Sequence, residues 1–92
     1  MGRYEVKLTE KAVKDISEYL KHGDKVSYSK VQSLLDELAD HPKTGTGKPE
    51  ELKYSLNGYW SRRINSHDRL IYSIIDYAVT VLVVSASGHY NR

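Results

Sequence analysis

Cysteine is absent from the 92-residue chain. That excludes disulfides and thiolate metal sites, and it suits a reducing cytosol. Long apolar runs are missing as well. The longest, Ala78 to Val84, falls far short of the roughly 20 residues that span a bilayer. The opening MGRYEVKLTE carries no apolar core of a signal peptide. No internal repeat or low-complexity stretch occurs. These features together predict one cytoplasmic domain over residues 1–92 with no membrane partner. At this length roughly two-thirds of the unfolded surface can be buried, enough for one modest core.

Net charge is also low, at +2, but it is unevenly spread. Residues 1–40 hold 7 Lys+Arg against 8 Asp+Glu, and residues 41–92 hold 7 against 4, so the halves stand at −1 and +3. Any anionic partner is therefore drawn to the C-terminal part, although an imbalance of this size is also what an ordinary solvated surface shows.

Polar and apolar residues alternate from Arg3 to Leu8, which predicts a half-buried strand. Thr9 is a helix cap, and Ala12, Val13, Ile16, Tyr19 and Leu20 follow at helical spacing until Gly23. A second helix is expected from Asp24 or Lys25 to Ala39 or Asp40, with Val31, Leu34, Leu35 and Leu38 as its stripe and Pro42 beyond its end. KTGTGKPEE, residues 43–51, reads as a loop. Its Gly45-Thr46-Gly47-Lys48 has a glycine-lysine look but lacks the spacing of a phosphate-binding P-loop. Short strands are then expected over Leu52–Leu56, Tyr59–Asn65, Arg69–Ile75 and Ala78–Ala86, with Asn57-Gly58 as a type I′ hairpin turn. The last is apolar on both faces and belongs inside a sheet. The order β-α-α-β-β-β-β predicts an α+β fold: a two-helix hairpin on one face of a mainly antiparallel sheet of four to five strands.

Period-two alternation sorts the arginines. Trp60, Arg62 and Ile64 share the face suited to helices, as do Leu70, Tyr72 and Ile74. Arg63 and Arg69 then lie together on the uncovered face, where two planar guanidiniums match the oxygens of a phosphate. Ion-paired surface arginines are the plain alternative. Arg62 is either a structural cation, stacked on an aromatic ring or snorkelling past the sheet edge, or a third phosphate contact. Glu50 and Glu51, after Pro49, are loop acids that can reach the open face, where an ionised carboxylate surrounded by Lys53 and arginines is able to act as a general base. His89-Tyr90, after the last strand, offers a proton donor and a stacking ring, or simply a frayed tail. No His/Asp/Glu spacing resembles a metal site, and no serine sits in a nucleophile elbow.

As a set, these segments resemble one family. GTGKPEELKYSLNGYWSRRINSHDRLIYSI and the closing His89-Tyr90 are similar to the YoeB/Txe branch of the RelE-like bacterial toxins. The shared pattern is G-K-P-E-x-L-K, then L-x-G-[YFK]-[WY]-S-R-R-I, H-R-L-[IV]-Y and a terminal H-Y. Here Asp68 stands between His67 and Arg69, Gly88 precedes His89, and Asn91 and Arg92 follow Tyr90. The resemblance implies the toxin half of a type II toxin–antitoxin pair that enters the ribosomal A site and cleaves mRNA without metal or cofactor, inhibiting translation. Carried over by residue, it implies Glu50 as general base, His89 as general acid and Arg69 as stabiliser of the transition state. Arg63 and Lys53 become auxiliary phosphate contacts, and Tyr90 positions a base or the phosphate. It also implies an antitoxin partner and a homodimer. The competing readings are a ParE-like toxin that binds a protein target, and a plain RNA-binding module.

Overall fold

Thr9 ends a strand and starts a helix. Its amide donates to Val83 O (3.0 Å) and its hydroxyl accepts the Ala12 amide (3.1 Å), so it closes β1 (Glu5–Leu8) and caps α1 (Glu10–Lys21). The computed structural model describes residues 3–87. Along α1, Ala12, Ile16 and Tyr19 are buried at i, i+4 and i+7. Val13 and Leu20, assigned by spacing to the same stripe, flank it instead and are 52% and 53% exposed. Asp24 caps α2 (Lys25–Asp40) by accepting the Ser27 amide at 3.0 Å, and Val31, Leu34 and Leu38 are fully buried beneath it. Burying each such side chain contributes about 1.5–3 kcal/mol.

Four strands follow: β2 (Glu50–Glu51), β3 (Tyr59–Arg63), β4 (Arg69–Ile75) and β5 (Thr80–Ser85). They pair antiparallel in sequence order, and β1 joins parallel to β5, giving a mixed five-stranded sheet of order β1-β5-β4-β3-β2. The α+β class and element order agree with the sequence expectation. β5 lies between β1 and β4, which is why it is apolar on both faces. Leu70, Tyr72, Val81 and Val83 meet the helices in one core.

Three local expectations are corrected. Leu52–Leu56 is not a strand: pairing occurs upstream at Glu50–Glu51, and Tyr54–Leu56 forms a 3₁₀ turn. Tyr54 has φ +61°, which a continuing strand does not accommodate. β3 ends at Arg63 instead of Asn65, because the Asn65 side chain turns the chain by accepting the amides of His67 and Asp68, both at 2.8 Å. Asp76–Ala78 is a 3₁₀ turn, so β5 starts only at Thr80.

The Asn57-Gly58 turn also differs. Asn57 has φ −57° and ψ 132°, and Gly58 has φ +97°. Those signs belong to a type II turn, in which only the second central residue needs positive φ. No atom lies within 4 Å of a Cβ built on Gly58, so only the backbone opposes a side chain there. Gly58→Ala is expected to cost about 1 kcal/mol and Asn57→Ala less than about 0.5 kcal/mol by urea denaturation. Equal losses for the two would indicate the type I′ geometry.

Candidate active site

Alternation along β3 separates its adjacent arginines. Arg63 sits directly opposite Arg69 of β4 and is exposed, on the face the helices leave open. Like charges directly opposite across a ladder repel, and an anion between them offsets that cost. Glu50 of β2 is opposite Ser61, two residues before Arg63 on the same face, and is exposed. Sheet spacings put the Glu50 and Arg69 Cα atoms on the order of 12 Å apart, and those of Glu50 and Arg63 about 8 Å. Register therefore puts Glu50, Arg63 and Arg69 on one face of the sheet. Lys53 is exposed just beyond β2. A depression of about 190 Å³ at the end of this face is lined by Arg63, Asn65, Ser66, His67, Asp68 and Arg69. β5 closes toward the same place. Ser85 pairs with Ile71, two residues from Arg69, across a bulge that leaves Val84 without an opposite residue. His89 and Tyr90 lie outside the described residues. Among the described residues no group of three or more His, Asp or Glu side chains is placed to hold a metal ion.

Arg62 is the correction at this site. It has no exposed surface, so it is not a phosphate contact on the open face. Its guanidinium carries five N–H donors, and it meets five acceptors. Nε donates to the Tyr72 hydroxyl (3.1 Å). Nη1 donates to Glu37 Oε1 (2.8 Å) and Thr46 O (3.3 Å), and Nη2 to Thr44 O (2.7 Å) and to His41 O. Its Cζ lies 5.8 Å from the centre of the Tyr72 ring, the stacking that the sequence allowed as one alternative. The Tyr72 hydroxyl donates to Pro42 O (2.8 Å). Burial pushes the Tyr72 phenol up, against a smaller opposite pull from Arg62.

This cluster delivers Glu50. Glu37 Oε1 accepts the Thr46 amide at 2.8 Å and Oε2 its hydroxyl at 2.5 Å, and Gly47 O accepts the Arg63 amide at 2.7 Å. The loop is thereby laid against β3 three residues before Glu50. Its glycines serve contact: a Cβ on Gly45 would run into Glu37 Oε1, and one on Gly47 would lie 3.0 Å from Arg63 O. The glycine-lysine segment thus supplies one carbonyl, Thr46 O, to a guanidinium, beside those of Thr44 and His41. Lys48 and Tyr54, at φ +54° and +61°, bracket β2, and each such residue stores about 1 kcal/mol or more of strain.

Sequence reasoning missed the residues behind the site. Asp68 accepts from the Tyr19 hydroxyl (2.8 Å) and Asn65 Nδ2 (3.3 Å). Its one signal was its position between His67 and Arg69.

Comparison with known proteins shows the family and the fold. A model described as the YoeB-like toxin of bacterial type II toxin–antitoxin systems matches residues 8–90. The chain belongs to that family. Toxin YoeB of Synechocystis sp. is 43% identical over 74 residues, 80% of this chain and 84% of that one. A YoeB/ParE toxin from Agrobacterium tumefaciens superposes with a TM-score of 0.85 at 29% identity, covering 94% of this chain and 99% of that one. A Staphylococcus aureus YoeB, 34% identical, is known as a dimer (TM-score 0.79) and in a heterotetramer with YefM antitoxin (0.77), each covering 96% of this chain and 99% of that one.

Two predictions arise from the Arg62 cluster. Arg62→Ala leaves Glu37 and four further acceptors without their donor and is expected to cost roughly 3 kcal/mol or more in chemical denaturation; stability within about 0.5 kcal/mol of the parent would contradict the cluster's role. The Thr46 hydroxyl and amide, and then Arg62, hold the Glu37 carboxyl below its ordinary value of 4.5. The unfolded chain therefore binds the extra proton first, so this contribution is complete above about pH 5 and is lost as pH falls through the folded value. Glu37→Gln is expected to destabilise at pH 7 and progressively less below about pH 4. A difference from the parent that stays constant with pH would contradict it.

Proposed function

We propose that this toxin is an endoribonuclease that cleaves mRNA in the A site of the ribosome and so stops translation. The observation that carries the reading is the placement of Glu50, Arg63 and Arg69 on the helix-free face of the sheet, with the Arg63–Arg69 pair in direct register.

The reaction is transphosphorylation. Glu50 takes the proton of the 2′-hydroxyl, and the 2′-oxygen attacks the neighbouring phosphorus. The bond from phosphorus to the 5′-oxygen breaks, and that oxygen takes a proton from His89. A 2′,3′-cyclic phosphate and a 5′-hydroxyl remain. Arg69, with Arg63 and Lys53 beside it, stabilises the charge that accumulates on the phosphorane-like transition state. Tyr90 positions a base or the phosphate. Arg62 takes no part in contact with RNA. DNA, which has no 2′-hydroxyl, is not a substrate.

The partners are the ribosome and its mRNA, a cognate antitoxin, and a second copy of the chain. The heterotetramer and dimer of the Staphylococcus aureus relative support the last two. The antitoxin covers the basic open face with an acidic segment that folds on binding. A target on the ribosome makes the cytoplasm the site of action. No helix among the described residues is long and apolar enough to cross a membrane.

The test adds purified protein to programmed ribosomes and maps mRNA 5′ ends by primer extension. Glu50→Gln is expected to slow cleavage about 10²–10⁴-fold, and Arg69→Ala about 10²–10³-fold, with the fold retained. Both variants cutting at the parent rate would reject the assignment. Gyrase inhibition without mRNA cleavage would move it to the ParE-like class.

A further inference from the structure

Among the described residues, Ser61 Oγ is the buried side-chain polar atom that has no hydrogen-bond partner. Two other buried hydroxyls are satisfied. Ser27 Oγ accepts from Asn65 Nδ2 at 2.7 Å, and the Thr80 hydroxyl donates to Ala78 O at 2.8 Å. A buried hydroxyl without a partner costs the folded chain its lost hydration, so such a group calls for a reason. The mechanism above gives Ser61 none.

Its place in the sheet supplies one. Ser61 stands between Tyr59 and Arg63 on the helix-free face of β3, with Glu50 of β2 opposite on one side and Ile71 of β4 on the other. Opposite residues of a ladder have Cβ atoms about 5 Å apart, so a serine hydroxyl and a glutamate carboxylate in that relation can meet. Ile71 is apolar, Arg63 carries only donors, and Tyr59 offers a neutral hydroxyl. Glu50 is the anionic acceptor among these four neighbours. Its side chain is exposed in the free chain, where water solvates the carboxylate. Ser61 itself has no exposed surface and presents nothing to an incoming RNA, but a side chain of the same face can turn onto it.

We propose that Ser61 is a positioning residue for Glu50: when RNA occupies the open face, the carboxylate turns inward across the ladder and accepts the Ser61 hydroxyl. The inference rests on the endoribonuclease reading and adds to it how the base is aimed. RNA displaces water from around Glu50, and the hydroxyl replaces one of the hydrogen bonds lost. That bond holds one carboxylate oxygen and leaves the other for the proton of the 2′-hydroxyl. Ser61 keeps its own proton throughout. Its contribution belongs to the rate of cleavage, because affinity for the ribosome rests on many phosphate contacts that Ser61 does not make.

The test is single-turnover cleavage on programmed ribosomes, with ribosome affinity and urea denaturation measured on the same proteins. Ser61→Ala is expected to bind ribosomes within about twofold of the parent. It is expected to cleave about 10–100-fold more slowly, the loss that removal of a hydrogen bond to a charged group gives. It is also expected to unfold at an equal or higher urea concentration, because the hydroxyl removed has no partner in the free chain. In a Glu50→Gln background, where the base is already gone, Ser61→Ala is expected to change the rate by less than about twofold. Cleavage by Ser61→Ala at the parent rate would overturn the inference. A further loss of about 10-fold in the Glu50→Gln background would do the same, since the hydroxyl would then act independently of Glu50. A lower urea midpoint would also overturn it, as the mark of a structural role. Absence of cleavage by the parent, or full activity of Glu50→Gln, would instead remove the nuclease reading and the role of Ser61 with it.

Discussion

A guanidinium with no exposed surface sits between the helix layer and the sheet, and the geometry of the open face depends on it. An unpaired cation in that place would cost several kcal/mol. Arg62 avoids this because every N–H finds an acceptor: one carboxylate, one phenol and three backbone carbonyls. Those carbonyls belong to His41, Thr44 and Thr46, so satisfying the charge requires the chain after α2 to wrap around it. The wrapped loop then lies on β3 and enters β2 with Glu50 opposite Ser61. A solvated loop has no comparable reason to deliver a carboxylate to a fixed register.

Adjacent residues of β3 thus serve two layers. Arg62 points to the core and organises the loop; Arg63 points away and faces Arg69. The period of two lets five residues of strand carry both tasks. α1 makes a similar contribution from the far side of the sheet, where Thr9 holds Val83 and Val84 while Asp15 and Tyr19 hold Ala86. The two sheet ends that flank Arg69 are each anchored by side chains that never reach the open face.

Elements with a strong period were legible in the sequence. Both helices, the cap at Thr9, and β4 from Arg69 to Ile75 follow directly from spacing and end signals. So does the pairing of Arg63 with Arg69 on one face, because alternation fixes it once the strands are placed. The partners of Arg62 were not legible. Three of its five acceptors are backbone carbonyls, which every residue possesses, and their convergence depends on loop geometry. The same loop explains the glycine-lysine look of residues 45–48 without P-loop spacing: close approach of backbone to a cation and to an anion calls for the same residue type. Asn57-Gly58 misled in turn type because both hairpin turns accept that dipeptide, and the 3₁₀ turn before it selects the type II form. The hydrogen bonds of Tyr19 were hidden because its apolar ring belongs to the core stripe while its hydroxyl reaches Asp68 and Ala86.

The side-chain ¹H–¹⁵N spectrum of Arg62 tests the central claim most directly. With all five donors held, rotation about the guanidinium bonds is blocked and water is excluded. The Nε–H and four Nη–H signals are then expected as separate, slowly exchanging resonances at neutral pH, unlike those of exposed Arg63. A single averaged Nη signal exchanging as fast as that of Arg63 would contradict the account.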